Sequence, residues 1–394
     1  MVDKKKSTGN YSVIAFVVLC VCYMAPSYAQ YQVSPLGPQI LEQYGLELSQ
    51  LSSLFSAPMI PAIFFSLIGG LLIDRFGYKG VIGVGMVLAA LGCVWRIFSG
   101  SYMPLFIATL LTGFGACFIN AAAGKIVGSL FAPEQVPSKM GMLMAATTGA
   151  MTIANLTTAY FPSIKSAFIL SAIFAVICVV LWFIFIQQPK VDAATKSETS
   201  IGIVDCLKVA SRNIGVWLIA FALFFIMAGN VAIGGFLPTA LGSRGVAATT
   251  AGTMAAFYTI GNLAGCFVAP AAIGILKSQK KVLFIFALLA AVGIAFAWMI
   301  PNTILLAIAL FLTGTFLGGM IPTLMGLPVQ FASIGPVYAG TAGGLIGTVQ
   351  LLGAVLLPSY VLAPIAGGSF TILYVLAGVC ILISGVLSLC IREI

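Results

Sequence analysis

Histidine is absent from the 394-residue sequence, and acidic residues number only 9. Without an imidazole the chain lacks the usual general base, the usual neutral-pH proton relay and the commonest metal ligand. Charge of either sign is scarce: Asp, Glu, Lys and Arg together make up 7% of the chain, against about 25% in soluble globular domains. That deficit excludes a soluble fold. Long polar stretches are missing too, so no soluble catalytic or output domain fits; the longest runs from Gln187 to Asn213. The nine cysteines make an odd count, with eight in apolar runs and Cys206 in a polar loop, and they show no disulfide framework or metal-ligand spacing. No nucleophile motif or acid pair is visible, which argues against an enzyme and implies no cofactor.

What the chain has is hydrophobic surface: 61% apolar residues and a mean hydropathy of +1.15. At about 20 residues per membrane-spanning helix, this composition suits a dozen spans. Apolar runs and breakers place them near 12–34, 48–73, 80–98, 103–131, 139–161 and 166–186, then near 214–239, 249–275, 282–300, 303–326, 338–361 and 370–390. The expected organisation is a six-helix bundle over 1–186, a cytoplasmic linker over 187–213 and a second six-helix bundle over 214–394. Within the linker Ile201, Val204 and Leu207 recur at helical spacing, which suits a short interfacial helix. Lys4, Lys5 and Lys6 followed by an apolar stretch imitate a secretory signal, but the run continues to Val33 without a polar spacer and reads as the first membrane helix.

Net charge is +9, carried by single basic residues scattered through short loops, a pattern of topology determinants and not of nucleic-acid binding. With the N-terminus inside, 14 of the 18 basic residues fall on the cytoplasmic side and only Arg96, Lys165 and Arg244 on the outer side, with Lys125 inside a span. Both termini are therefore expected in the cytoplasm. The halves also repeat. Met24-Ala25 recurs as Met227-Ala228, and Leu111-Thr112-Gly113 as Leu312-Thr313-Gly314, at offsets of 203 and 201 that agree with half the chain length. Parallel repeats of this kind are a transporter signature.

At the end of the second span the sequence reads Gly70-Leu71-Leu72-Ile73-Asp74-Arg75-Phe76-Gly77-Tyr78-Lys79. This resembles the loop 2-3 signature of the major facilitator superfamily, G-x-L-x-D-R-x-G-x-K, and the twelve-span plan with a long central loop is similar to that family's. The resemblance implies an all-α membrane protein of two pseudo-symmetric six-helix bundles that carries a small molecule by rocker-switch alternating access. It also implies a multi-pass monomer in a bacterial cytoplasmic membrane, with the lipid bilayer and its substrate as partners. Gly70, Asp74, Arg75, Gly77 and Lys79 would form a conformational cluster: Gly70 permits close helix approach, Asp74 can meet a neighbouring helix N-terminus, and Gly77 allows a tight turn. The sequence departs from the proton-coupled drug exporters of the family: Thr109 stands where they carry an Arg in span 4, a Gly-Pro-x-x-Gly run is missing from span 5, and Ile275 to Lys281 lacks the Asp-Arg pair. Span 1 and Leu327-Pro328 resemble the branches that move small anions.

All nine acids fall in tails, loops or span ends, so no embedded carboxylate is left to carry protons. The one ionisable residue well inside a span is Lys125, roughly 9 Å from the end of its helix. Two readings stand: a counter-charge for an anionic substrate, or a structural Lys that snorkels along its own stem. Arg96, beside Trp95, reads as an interfacial anchor on a lipid-facing helix. Uncharged polar residues add candidates for substrate binding: Tyr28, Tyr31 and Gln32 in span 1, Asn120 in span 4, Asn155 in span 5, Asn230 in span 7, Tyr258 and Asn262 at i and i+4 in span 8, and Gln350 in span 11. Each could instead be an interhelical hydrogen bond.

The leading expectation is a secondary active or facilitative transporter of a small organic or inorganic anion. The alternatives are a carrier of a neutral or amphipathic solute, of the efflux type, and a non-transporting membrane sensor or assembly protein. Because Asp74 is expected to act on the conformational equilibrium and not on the ligand, Asp74→Asn should slow transport severely and leave substrate affinity nearly intact. Uptake and binding measured side by side check this, and normal uptake would leave the motif as a topological device only.

Overall fold

The computed structural model describes residues 2–132, 135–187, 203–331 and 334–391; side chains are further left undescribed at 2–10, 66–68, 70–71, 74, 137, 203–207, 329 and 335–340. Among the described residues there are helices and no strands. The helices are α1 (Val2–Tyr31), α2 (Gly37–Tyr44), α3 (Leu48–Ser56), α4 (Ile60–Phe76), α5 (Tyr78–Phe98), α6 (Tyr102–Leu130), α7 (Val136–Thr158), α8 (Ile164–Phe185), α9 (Ile203–Arg212), α10 (Ile214–Ser243), α11 (Ala248–Leu276), α12 (Gln279–Phe296), α13 (Thr303–Gly326), α14 (Gly335–Leu356), α15 (Ala363–Ala366) and α16 (Phe370–Leu389). Eleven helical stretches among the described residues are long and apolar enough to cross a membrane. The twelfth is α7, whose Thr147, Thr148, Thr152, Asn155, Thr157 and Thr158 dilute its apolar content. Most boundaries fall within a few residues of the hydropathy runs. The second span is the exception: a 3-10 turn at Ala57–Met59 breaks it, between Pro58 and Pro61, into α3 and α4.

Polar residues just outside the runs start the helices. Ser163 and Ser166 form a reciprocal capping box at α8. Asn213 caps α10, Ser278 caps α12, Asn302 caps α13 and Ser369 caps α16, each accepting from first-turn backbone amides. Gly77 takes φ 81° and ψ 154° between α4 and α5, a conformation that a side chain would strain.

By contact, the chain divides into two compact units. The first comprises residues 1–33 and 57–190. Here α1 packs on α7 and α8, and α5 packs on α6 and α8. Its core joins Leu19, Ile82, Met86, Ile119, Ile126 and Trp182. At the end where α5 begins and α8 finishes, Lys79 Nζ donates to the Phe183 carbonyl at 3.1 Å while Trp182 Nε1 donates to the Lys79 carbonyl at 3.0 Å. A cation thus satisfies a carbonyl that the end of α8 leaves open. Lys139 lies over the rings of Phe131 and Phe16, at 4.9 and 5.3 Å.

The second unit comprises residues 34–56 and 191–394, so that α2 and α3 pack with the later helices. Ser34 Oγ donates to the Gly234 carbonyl at 2.7 Å. On α3, Ser52 and Ser56 lie 3.0 and 3.3 Å from the hydroxyl of Ser359. That serine sits in a π-helical turn, Leu357–Leu362, that interrupts the span between α14 and α15. All three serines are buried, and their mutual bonds meet the requirement that a buried hydroxyl have a partner.

The repeated Leu-Thr-Gly has a packing reason. A methyl group at Gly113 on α6 would run into the carbonyl of Pro58, and one at Gly314 on α13 into the carbonyl of Tyr258. Pro58 and Tyr258 are 200 residues apart, so both units repeat one contact of backbone on glycine. In the second unit the contact is extended: methyls at Gly261, Gly265 and Gly318 would strike the carbonyls of Phe311, Thr315 and Asn262. This is the small-xxx-small crossing that lets membrane helices gain dispersion contacts in a solvent as apolar as themselves. Filling such a contact should cost about 1–3 kcal/mol or more, whereas Gly124, where an added methyl would meet open space, should accept Ala within about 0.5 kcal/mol. Thermal unfolding of Gly314→Leu and Gly124→Ala in detergent checks the contrast.

Candidate substrate site

In the first unit, Asn120 on α6 accepts a hydrogen bond from the hydroxyl of Tyr23 on α1. The tyrosine is buried and the asparagine amide is exposed. From Asn120 toward the end of α6 the exposed positions are Gly124, Lys125, Gly128 and Ser129. No large apolar side chain of α6 is exposed after Ile107. On α5 and α8 the exposed residues are of the opposite kind: Val84, Leu91, Trp95 and Phe98 on one, Ile169, Ile173, Ile177 and Ile184 on the other. Those two helices carry a surface suited to hydrocarbon, whereas the last third of α6 carries one suited to water or a polar ligand.

Two of the remaining candidates of this unit, Tyr28 and Gln32, have structural partners. Tyr28 shares a 3.2 Å hydrogen bond with Thr157 on α7. Gln32 is fully buried and its Nε2 donates to the Ala167 carbonyl of α8 at 2.9 Å. Tyr31 is buried beside it in sequence, and Asn155 is buried on α7 with its Oδ1 lacking a hydrogen-bond partner. Of the loop 2-3 residues, Arg75 is exposed, with its guanidinium 5.2 Å from the Phe76 ring. The surroundings of Gly70 and the side chain of Asp74 lie outside the described residues.

In the second unit, Tyr258 donates to Asn230 Oδ1 at 2.8 Å, tying α11 to α10. Asn262, one turn further along α11, is turned to the glycine face of α13: its carbonyl and its Oδ1 both lie against Gly318. Helical spacing puts Tyr258 and Asn262 near each other, but the structure gives their polar groups different neighbours. Gln350 is half-buried on α14.

Two residues were missed. Tyr23 carries the bond to Asn120, and its signal was position: a tyrosine in the middle of a span stands away from the interfaces where aromatic belts form. Arg96 corrects the sequence reading outright. It is 1% exposed, with Nη1 donating to the Ala29 carbonyl at 2.9 Å and its guanidinium 4.0 Å from the Phe168 ring. Arg96 is no interfacial anchor. The buried row of α5 runs Ile82, Met86, Ala89, Cys93, Arg96, a 3.5-residue period that includes the arginine and leaves Trp95 on the exposed side. Ala29 lies in the last turn of α1, where a cation complements the unsatisfied carbonyls. Arg96→Gln should therefore destabilise the protein by about 1.5–3 kcal/mol, the cost of a charge-assisted hydrogen bond, measurable as a lowered unfolding midpoint; an interfacial anchor would tolerate the change.

A family model described as Major Facilitator Superfamily matches residues 15–358. Among curated proteins, a hexuronate transporter of Bacillus subtilis is 31% identical over 207 residues, 49% of this chain and 47% of its own length. That match thus spans about half of the relative. A cyanate transport protein of Escherichia coli is 23% identical over 82% of both chains. Among solved structures, a nucleoside transporter aligns with a TM-score of 0.77 at 13% identity, covering 96% of this chain and 98% of the other. A D-xylose-proton symporter aligns with 0.74 at 16% identity, covering 96% of each.

Proposed function

The chain belongs to the Major Facilitator Superfamily and is a multi-pass membrane transporter of small molecules, and we propose that its cargo is a small organic or inorganic anion held by Lys125. The observation that carries this reading is the exposed face of α6, where Lys125 stands among Asn120, Gly124, Gly128 and Ser129. A snorkelling lysine lays its stem along apolar surface. Here the neighbouring exposed positions of α6 offer two glycines, an amide and a hydroxyl. A cation on such a face suits a ligand of opposite charge, which recovers part of its lost hydration from the ammonium and from amide donors such as Asn120. Hexuronate and cyanate, in the names of two relatives, are both anions.

Tyr23 has a positioning role in this reading. Its hydroxyl donates to Asn120 Oδ1, which leaves the amide nitrogen of that exposed residue as its donor. Movement is by alternating access, as exchange, as facilitated diffusion, or with a proton travelling on the substrate, since the spans carry no carboxylate or imidazole of their own. The bias of 14 basic residues against 3 favours a bacterial cytoplasmic membrane with both termini inside.

Proteoliposome uptake of a panel of carboxylates, cyanate and nitrate, with and without an imposed pH gradient, tests the proposal in wild type and Lys125→Gln. Anion uptake should fall by about tenfold or more in the variant, the loss of one charge-assisted contact. Undiminished anion uptake by Lys125→Gln would reject the role of Lys125, and proton-driven uptake of a solute without a titratable group would reject the coupling scheme. Impermeant labelling of cysteines placed at the two ends, in cells, reads the topology.

A further inference from the structure

A concavity of the first unit shares no lining residue with the exposed face of α6 around Lys125. It is a groove of about 700 Å³ between α1, α7 and α8, lined by Met24, Ile153, Leu170, Ile173, Phe174 and Ile177, with Tyr28 and Thr157 on its floor. The two hydroxyls on that floor are already used: Tyr28 pairs with Thr157 at 3.2 Å, and Thr157 Oγ1 donates to the Ile153 carbonyl at 2.7 Å. A sugar or small anion entering the groove would shed its hydration and find no polar group to replace it. The size is that of sites that enclose a drug-sized apolar molecule, about 300–1,000 Å³. Several lining residues are substantially exposed, Ile173 at 53% and Ile177 at 48%, so the groove opens on the lipid-facing side of α8.

Its rim is of a different character. Tyr160 at the end of α7 is 72% exposed, and Lys165 is exposed in the first turn of α8. On α8 the row Lys165, Ile169, Ile173, Ile177 advances one turn at a time from that rim into the groove. The first turn of a 22-residue helix adds the positive end of its dipole to the lysine. Among the residues of this unit whose side chains are described, none is an Asp or Glu.

We propose that this groove is a phospholipid site: one acyl chain lies along Leu170, Ile173 and Ile177, and the headgroup phosphate is held at Lys165 and the first turn of α8. The inference does not depend on the identity of the transported cargo. An acyl chain asks only for apolar contact, which is what the groove offers, and the phosphate asks for a cation at the membrane surface, where Lys165 stands. Because the lipid bridges α7 and α8 across a groove that protein atoms leave unfilled, it also replaces dispersion contacts that the two helices lack there.

The full-length protein, reconstituted into nanodiscs of mixed phosphatidylglycerol and phosphatidylcholine and released for native mass spectrometry, tests the site. Wild type should retain one phospholipid with phosphatidylglycerol enriched. Ile173→Trp, which fills the groove from an exposed position, should lower retention by about tenfold or more, while Lys165→Glu should abolish the preference for phosphatidylglycerol. Leu170→Trp provides a second filling variant should Ile173→Trp fold poorly. Absence of a retained lipid in wild type, equal retention in the filling variants, or an unchanged headgroup preference in Lys165→Glu would each overturn the proposal, as would displacement of the bound lipid by a transported anion.

Discussion

Within each unit, one helix presses a backbone carbonyl into the place where its neighbour has no side chain: Pro58 against Gly113, Tyr258 against Gly314. Hydrocarbon gives packed helices no hydrophobic advantage over dispersed ones, so approach this close is what makes their association favourable. Everything described for α6 follows from it. With its glycine face spent against the segment that begins α4, and its apolar face spent in the core with Ile119, Ile126 and Val127, the positions of α6 that remain exposed beyond Ile107 are the row from Asn120 to Ser129. The candidate site is the surface that packing leaves over, and its exposed residues are small or polar.

A second constraint is the scarcity of acids. Cations inside a bundle need partners, and here they take carbonyls and rings. Arg96 binds the Ala29 carbonyl at the end of α1, and Lys79 binds the Phe183 carbonyl at the end of α8. Arg244 donates to the Trp298 carbonyl in the turn that follows α12 and lies 5.8 Å from that residue's ring. Each acceptor belongs to the last turn of a helix or the turn just beyond it, where carbonyls lack intrahelical donors and the dipole is negative. One device thus closes three helix ends, and at Arg96 it also gives a buried cation an acceptor.

Much of this was legible in the sequence, for identifiable reasons. Span positions follow from hydropathy because the membrane demands about 20 apolar residues whatever the tertiary contacts. The Leu-Thr-Gly repeat was visible, although its meaning lay in Pro58 and Tyr258, which no pattern on α6 or α13 reveals. Asn120 and Lys125 stand out in the sequence because polar residues inside spans are few. Arg96 was misassigned because the Trp95-Arg96 pair imitates an interface, and the buried row that contains it was not followed. The Tyr258 and Asn230 bond was out of reach, since i and i+4 spacing states which residues share a face and not which helix faces them. The break at Ala57–Met59 had a signal in Pro58 and Pro61, but hydropathy ran through it undisturbed.

Glycine shows why residue type alone did not reveal the site. The chain has 43 glycines, and among those whose surroundings are described two physical kinds stand out. Gly113, Gly265, Gly314, Gly318 and Gly353 are pressed by carbonyls of a neighbouring helix, whereas at Gly124, Gly128, Gly149, Gly343 and Gly347 an added methyl would meet open space. The first kind creates packing, and the second withholds it. A helix surface that meets hydrocarbon gains from every filled position, since each added carbon finds dispersion partners. The long lipid-suited faces of α5 and α8 accordingly show large side chains along most of their length. Open glycines well inside a helix lie instead on α6, α7 and α14. Lys125 stands in sequence between two open glycines, Gly124 and Gly128, neither of which offers it an apolar side chain.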